Sequence, residues 1–186
     1  MDIPRAVVLV EGISDQLALI ALATRRHRDL EADGVTIVPM EGAKNIGRFL
    51  DRFGPGGLDV QLAGLCDVGE ERDHRRSLER AGLGSALTRD DMERLGFFVC
   101  VADLEDELIR SLGADAVEEV VDAQGELGSF RTFQRQPVWR ERPVQEQLRR
   151  FLGTHAGRKI RSAHRLVDAL DLSRVPRPLD GVLASV

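Results

Sequence analysis

Carboxylate side chains follow three apolar runs of this 186-residue sequence. Glu11, Asp67 and Asp103 each come directly after such a run, and Asp15 and Glu105 lie a few residues farther along. Clustered carboxylates repel one another unless a cation neutralises them, and a ligand set made only of oxygen atoms suits Mg²⁺ or Mn²⁺. If the ends of these runs meet in space, the sequence predicts a site for one or two such ions.

Helix capping is the competing interpretation of each acid. Asp and Glu are favoured in the first turn of a helix, where they satisfy free N–H groups and the helix dipole. Glu11 is harder to explain in this way, because it lies before the cap that we predict at Ser14. It also precedes Gly12, which allows close approach of the backbone. The three acids taken together favour the metal site.

The elements that would position these acids alternate between strands and helices. Apolar, β-branched runs predict strands at 6–10, 35–39, 60–66 and 97–102. Helical spacing of apolar residues predicts helices at about 14–30, 45–53, 71–81 and 104–112. Parallel strands need helical crossovers, so we expect an α/β fold with a four-stranded parallel sheet flanked by helices. Ligands of such sheets bind at the carboxyl ends of the strands, where the acids lie.

No convincing strand follows residue 113. We therefore divide the chain into an α/β core at 1–113 and a helical C-terminal extension at 114–186, packed on the core. In the extension we expect helices at 114–123, 144–152 and 157–170, an irregular segment at 125–142, a helix end at Pro176 and Pro178, and a return to the core at 179–183.

Charge is unevenly distributed along the chain. The formal net charge is −5, yet the segment from Arg131 to Arg165 has ten Lys and Arg residues against two acids, so the remainder carries −13. An acidic body can bind cations while a basic segment binds phosphates. There are 24 arginines but only two lysines, Lys44 and Lys159. A lysine ammonium is a compact charge that suits a place beside a developing oxyanion.

Several classes of protein are excluded or disfavoured. No segment approaches the roughly 20 apolar residues of a membrane span, so we expect no membrane association. The sequence begins without a basic region followed by a long apolar stretch, and we expect a cytoplasmic protein. Cys66 and Cys100 lie in apolar runs and are expected to be buried thiols. The sequence has no G-x-x-x-x-G-K-[ST] run for P-loop ATP hydrolysis.

Four stretches together resemble a Toprim domain of the overcoming-lysogenisation-defect (OLD) family of nucleases. They are "VVLVEGISD", "VPMEGAKN", "LAGLCDVGEERD" and "VCVADLEDEL", and the later "GRKIRSAHRLVDAL" with "VPRPL" is similar to the helical C-terminal part of that family. The resemblance implies a Rossmann-like parallel sheet. It also implies hydrolysis of DNA phosphodiesters with divalent metals.

The resemblance implies roles for individual residues. Glu11, Asp15, Asp67, Asp103 and Glu105 correspond to metal ligands, with Glu11 and Asp67 also catalytic. Lys159 corresponds to the catalytic lysine, and with Lys44, Arg158 and Arg161 it is expected to bind DNA. The other arginines of the basic segment would hold the DNA backbone.

One position departs from the family pattern. The usual Asp-x-Asp after the third strand is Asp67-Val68-Gly69 here, which puts a two-metal site in doubt unless Glu70 or Glu71 replaces the missing carboxylate. The chain also lacks tyrosine, which excludes the tyrosyl chemistry of Toprim topoisomerases. We expect the nuclease part alone, or a nuclease that works with a separate ABC-type ATPase.

Two alternatives to a metal-dependent DNA endonuclease stay open. One is a catalytically weak Toprim module that binds nucleic acid or a partner ATPase, which Gly69 favours. The other is a phospho-acceptor receiver domain, which would need an acidic pair directly after the first strand and a fifth strand before the lysine. Neither feature is evident.

Overall fold

The computed structural model describes residues 3–154 and 156–186. Met1 and Asp2 lie outside the described residues. They belong to the first segment of the sequence, from which we expect a cytoplasmic protein. The strands are β1 (Ala6–Val10), β2 (Val35–Pro39), β3 (Gln61–Asp67) and β4 (Phe97–Cys100). The helices are α1 (Ile13–Arg25), α2 (Ile46–Phe53), α3 (Glu71–Arg80), α4 (Arg89–Arg94), α5 (Leu104–Leu112), α6 (Ala114–Ala123), α7 (Leu127–Gln134), α8 (Val144–Gly153), α9 (Ala156–Ala169) and α10 (Arg177–Ala184).

The four strands form one parallel sheet in the order β2-β1-β3-β4. All five residues of β1 are buried, as expected of a central strand with helices on both faces. In the register of the sheet Leu9 pairs with Gly64 and Asp67 pairs with Cys100. The predicted four-stranded parallel sheet flanked by helices is confirmed.

Alternate residues of β1 supply two hydrophobic cores. Val7 and Leu9 pack with residues of α2, α3 and α4 on one face of the sheet. Ala6, Val8 and Val10 pack on the other face with α1 and α5 and with helices of the C-terminal part. Cys66 and Cys100 are buried free thiols on these two faces, as predicted.

The C-terminal helices share the second core rather than forming one of their own. Side chains from α6 to α10 belong to the same apolar cluster as β1 and α1, and α9 lies along α1. Arg25 ties these elements together by donating to the backbone oxygens of Val167 and Leu170, both at 2.7 Å. The division of the chain at residue 113 stays a prediction.

Several predicted boundaries are wrong. Residues 125–142 contain helix α7, the short helix α4 was not predicted, and α1 ends at Arg25 rather than near Leu30. The N-cap of α1 is Gly12, not Ser14, because the Asp15 carboxylate accepts the Gly12 N–H at 2.9 Å. Pro176 and Pro178 begin helix α10 rather than ending a helix, since proline lacks only an N–H that the first turn does not use.

None of the helices described in residues 3–154 and 156–186 is long and apolar enough to cross a membrane.

We predict that Gly181→Ala destabilises the protein by about 1–3 kcal/mol. Gly181 lies in α10, and a Cβ there would overlap the ring of Phe98. In an open helix the same change stabilises by up to about 1 kcal/mol. Gly128 of α7 has no atom near the position of its Cβ and serves as the matched control. Urea unfolding of both variants should give shifts of opposite sign, and a stabilising Gly181→Ala would contradict the close packing of α10 on β4.

Candidate metal centre

The carboxyl ends of three strands bring their acids to one edge of the sheet. Glu11 lies two residues beyond the Leu9–Gly64 pair, and Asp67 is the last residue of β3. Asp103 lies three residues beyond Cys100, the partner of Asp67, and is the N-cap of α5. The sheet therefore places the three acids on neighbouring strand ends, in the order β1, β3, β4.

Asp67 lies at the centre of this group. Burial raises the pKa of its carboxyl to about 7. The negative charges of Glu11, Asp103 and Asp15 act in the same direction, in that order of size. Burial and like charges disfavour the ionised form of a carboxyl, and a cation bound beside it stabilises that form.

Glu11 and Asp15 are part of the same electrostatic group. Burial and then the charge of Asp15 raise the pKa of Glu11. Asp15 is 8% exposed, and burial raises its pKa although the charge of Lys159 opposes this. One oxygen of Asp15 caps α1, so the capping interpretation is correct for this residue and leaves its other oxygen for a further ligand.

Glu105 and Lys159 form an ion pair across two helices. Nζ of Lys159 lies 3.2 Å from Oε2 of Glu105, and the Glu105 side chain is 6% exposed. Burial alone would lower the pKa of Lys159, but Glu105, then Asp15, raise it, so the lysine is charged. The second oxygen, Oε1 of Glu105, is buried and has no hydrogen-bond partner among the described residues. A buried carboxylate oxygen without a partner is an available ligand.

Asp103 has two partners already. One oxygen accepts the Asp106 N–H at 2.8 Å, which is the capping role weighed above, and the other lies 2.7 Å from Nε of Arg149 in α8. Sequence reasoning placed Arg149 only in the general basic segment. No local signal could have identified it, because 46 residues separate it from Asp103.

Glu107 is a further buried acid in the first turn of α5, to which the sequence assigns no role. It is 5% exposed, its Oε1 accepts the Val101 N–H at 2.7 Å, and its Oε2 lies 2.8 Å from Nη2 of Arg110. These contacts hold the loop between β4 and α5. Glu107 therefore supports the position of Asp103 rather than the ion itself.

Gly69 leaves the third strand with a single carboxylate at the site. Of the two substitutes considered for the missing acid, Glu71 is paired with Arg89, which lowers its pKa. Glu70 is close enough for its charge to raise the pKa of Glu11. Glu70 is therefore the better candidate for a second carboxylate.

The donors fit a hard divalent cation, because they are carboxylate oxygens and include the unpartnered Oε1 of Glu105. Within the described part of the chain, however, no three Asp, Glu, His or Cys side chains already surround one point closely enough to hold an ion. Arg149 and Lys159 occupy Asp103 and Glu105 instead. The site is thus a group of acids of which two are paired with cations of the protein. Both oxygens of Asp103 are engaged, whereas Oε1 of Glu105 has no partner among the described residues.

The four residues predicted to bind DNA differ in their surroundings. Arg158 is largely buried: its guanidinium lies 4.0 Å from the centre of the Phe151 ring and its Nε 2.6 Å from Glu126. Arg161 pairs with the same Glu126 at 3.3 Å but is 62% exposed. Lys44 is exposed, just beyond Gly42, whose N–H donates to the backbone oxygen of Glu11 at 3.1 Å.

Most of the basic segment is neutralised within the molecule. Seven of its ten cations have a carboxylate oxygen within 4.0 Å: Arg131, Arg140, Arg142, Arg149, Arg158, Lys159 and Arg161. The charge of +8 read from the sequence therefore overstates what this surface offers to phosphates.

We predict that Arg149→Ala tightens Mn²⁺ binding about two- to fivefold, because Asp103 loses a competing cation whose partly exposed ion pair is worth at most about 1 kcal/mol. Isothermal titration calorimetry with MnCl₂ measures this. Arg150→Ala is the matched control, since Arg150 is exposed on the same helix and has no carboxylate within 4.0 Å among the described residues. Weaker binding by Arg149→Ala would mean that Arg149 positions Asp103 for the ion.

Comparison with known proteins gives three kinds of match. Residues 4–68 match the family model described as overcoming lysogenization defect protein-like, TOPRIM domain. Among curated proteins, the protein translocase subunit SecA of Pelodictyon phaeoclathratiforme is 35% identical over 107 residues, which is 54% of this chain. The chain spans only 10% of the length of that relative, so the match carries no argument about translocation.

Solved structures resemble the whole chain. The C-terminal region of the OLD protein of Burkholderia pseudomallei matches with a TM-score of 0.76 at 19% identity, covering 99% of this chain and 97% of that one. The C-terminal region of the Xanthomonas campestris pv. campestris OLD protein matches with a TM-score of 0.72 at 22% identity, covering 100% and 95%. At these identities the likeness concerns the fold, which extends through the C-terminal helices.

Proposed function

We propose that this chain, which carries an OLD-like Toprim domain as its sequence predicted, is a divalent-metal-dependent endonuclease that hydrolyses DNA phosphodiester bonds. Toprim domains are generally metal-dependent enzymes that act on nucleic acids. The observation that carries the proposal is the meeting of Glu11, Asp67 and Asp103 at the carboxyl ends of three neighbouring strands. Burial and the surrounding acids raise the pKa of Asp67 to about 7, which agrees with this arrangement. Repulsion among neighbouring carboxylates lowers the free energy of unfolding, and a bound cation would remove that repulsion.

Five residues would hold the cation, namely Glu11, Asp15, Asp67, Asp103 and Glu105. We propose Mg²⁺ or Mn²⁺, which would supply an activated water and stabilise charge on the leaving oxygen. Glu70 would provide the carboxylate that Gly69 lacks.

Lys159 and Arg149 would act from the helical side of the site. Both are cations that the acids keep charged and oriented before substrate arrives. Because both cations lie beside proposed ligands, they would also be close to a scissile phosphate held at this edge of the sheet. Lys159 would then lie beside the developing negative charge, and Arg149 would hold a phosphate oxygen.

Further cations could hold the DNA backbone on the other side of the sheet edge. Lys44, Arg76 and Arg80 line a groove of about 540 Å³ between α3 and the start of α2, together with Asp73 and Glu79. None of the three cations has a carboxylate within 4.0 Å in residues 3–154 and 156–186. Lys44 is thus a proposed DNA contact. Arg158 is not, because its guanidinium is already paired with Glu126 and packed on Phe151.

A catalytically weak binding module is the second candidate function. Two observations favour it: Gly69 replaces an acid, and the acids do not already surround a point where an ion could be held. Such a module would bind nucleic acid or a separate ABC-type ATPase without cutting. We propose a cytoplasmic location for either function, and DNA as the partner of the endonuclease.

Nicking of supercoiled plasmid distinguishes the two functions. The purified protein is incubated with plasmid and Mg²⁺ or Mn²⁺, with EDTA as the control, and open-circular and linear products are measured. Metal-dependent conversion supports the endonuclease. Salt-sensitive DNA binding without cleavage under either metal would select the binding module.

A further inference from the structure

The loop between α7 and α8, from Arg135 to Arg142, presents an apolar tip to solvent. Val138 is 70% exposed, the most exposed of the large apolar side chains in the described ranges. Pro137 beside it is also exposed. Pro137 and Val138 take no part in the core of their own protein and leave an apolar loop tip accessible to a partner.

The backbone of this loop is fixed. The N–H groups of Trp139 and Arg140 both donate to the backbone oxygen of Gln136, at 2.9 and 3.0 Å, and that of Arg142 donates to Trp139 O at 2.9 Å. Gln147 of α8, 5% exposed, donates its amide to the backbone oxygens of Trp139 and Arg142 at 2.8 and 2.9 Å. A buried amide is thus committed to holding the loop in one conformation.

An aromatic stack anchors the loop from beneath. The Trp139 ring lies 5.1 Å from that of Phe133, at 27°, and Phe133 in turn packs against Phe151 at 5.7 Å. Trp139 therefore turns inward while its neighbour Val138 points outward. A loop fixed in this way loses little conformational entropy when it binds a partner.

The flanks of the tip are positive. Arg135, Arg140 and Arg142 are exposed, and with Glu141 they give the loop a net charge of +2. Arg140 lies 3.4 Å from Glu141 and Arg142 lies 3.8 Å from Glu146, and all four side chains are more than half exposed. Such pairs are worth little and are easily exchanged for phosphate.

The loop leads directly into the candidate metal centre. Helix α8 begins at Val144, and its Arg149 contacts Asp103. Five residues of helix separate these two positions by about 7.5 Å along the axis. Helix α8 therefore connects the loop to a residue that contacts the candidate metal centre.

We propose that the Arg135–Arg142 loop is a preformed contact for a groove of duplex DNA. Pro137 and Val138 lie against base and sugar edges, and Arg140 and Arg142 hold phosphates on the two sides of the tip. This inference rests on the proposed function, since that function makes nucleic acid the polymer. It requires neither a bound metal nor cleavage.

The test is binding of a fluorescein-labelled 30-base-pair duplex, followed by anisotropy in EDTA so that no cleavage occurs. We expect Val138→Asp to weaken binding about tenfold, because it places a desolvated negative charge against DNA. Arg140→Ala/Arg142→Ala should lower the slope of log K against log salt by about 1.8 for two lost phosphate contacts. Leu58→Asp is the matched control, since Leu58 is an exposed apolar residue in the loop before β3, at the opposite edge of the sheet. Thermal melts confirm that each variant is folded.

Two results would overturn the inference and favour a protein partner for the tip. One is an affinity of Val138→Asp for the duplex within twofold of the wild type, and the other is a wild-type protein that does not bind the duplex. The outcome is independent of the nuclease proposal. If the wild type cuts no DNA with either metal but Val138→Asp still weakens binding, the loop assignment stands and the endonuclease does not. If Val138→Asp binds and cuts like the wild type, the reverse holds.

Discussion

Replacing Asp67 by Asn is expected to lower the rate of metal-dependent nicking about 10³-fold, because a bound ion contributes several kcal/mol to stabilising the transition state. Asp67 is the acid closest in charge interaction to Glu11, Asp103 and Asp15, so its loss should weaken ion binding most. The rate is measured on supercoiled plasmid with saturating Mn²⁺. Asp122→Asn is the matched control, since Asp122 is an exposed acid of α6 that belongs neither to the candidate site nor to the proposed DNA groove. Equal rates for the wild type and Asp67→Asn would remove Asp67 from the site.

The same substitution should stabilise the metal-free protein. The raised pKa of Asp67 means that the folded state binds more protons than the unfolded state between about pH 4 and 7, so wild-type stability falls across that window as the pH rises. Asn cannot ionise. The gain in unfolding free energy should therefore grow up to about pH 7 and stay constant above it, at about 1–2 kcal/mol, since solvent screens part of the repulsion at this half-buried carboxyl.

If Asp67→Asn is more stable but less active than the wild type, Asp67 acts as a metal ligand rather than as a structural acid. Urea unfolding in EDTA at pH 5 and pH 8 gives the gain, and thermal melts with added Mn²⁺ give the stabilisation by bound ion. The wild type should gain thermal stability with Mn²⁺ and Asp67→Asn should gain much less. A destabilised Asp67→Asn at pH 8 would mean that Asp67 makes a favourable contact instead.

Replacing Lys159 by Met is expected to lower the nicking rate about 10²-fold, as for loss of one donor to a developing oxyanion. It should also cost about 1–2 kcal/mol of stability, because Glu105 is left buried without its cation. The cost stays below that of a fully buried pair, since Lys159 is 35% exposed. Plasmid nicking and urea unfolding measure the two effects.

A second substitution separates the catalytic from the structural contribution of Lys159. Lys159→Met/Glu105→Gln removes both charges and should recover most of the stability but none of the activity. Because Glu105 is itself a proposed ligand, Glu105→Gln alone is measured beside it, and the further loss in the double variant is the part that belongs to Lys159. Arg26→Met is the control, because it breaks an ion pair with Asp180, 2.6 Å long, that involves none of the acids of the metal centre. Recovery of nicking in the double variant would assign Lys159 a purely structural role.

Part of the site could be predicted because it depends on local sequence. The bounds predicted for β1 and β2 match the structure, since a short β-branched run between polar or glycine-containing segments is a local signal. Parallel strands of similar length then put their last residues on one edge, so the neighbourhood of Glu11, Asp67 and Asp103 follows from strand order alone.

Helix ends were harder to predict. The sequence predicts a helix end at Pro176 and Pro178, yet these residues begin α10. Proline is compatible with the region beyond either end of a helix, and here the packing of α10 on β4 determines which end it marks. Helix α7 is not predicted although Leu127, Phe130 and Phe133 recur at helical spacing, because Gly128, Ser129 and Thr132 lower its intrinsic helix propensity. The burial of Phe130 against Phe151 stabilises it.

The sheet and the edge where the acids gather follow from the order of residues along the chain. Only the tertiary structure decided which cations of the protein meet those acids: Arg149 reaches Asp103, Lys159 reaches Glu105, and Arg158 turns inward to Phe151 and Glu126. The reason is physical. Strand ends are aligned by backbone hydrogen bonds that any sequence makes, whereas the position of α8 and α9 over the edge results from side-chain packing among segments far apart in the chain.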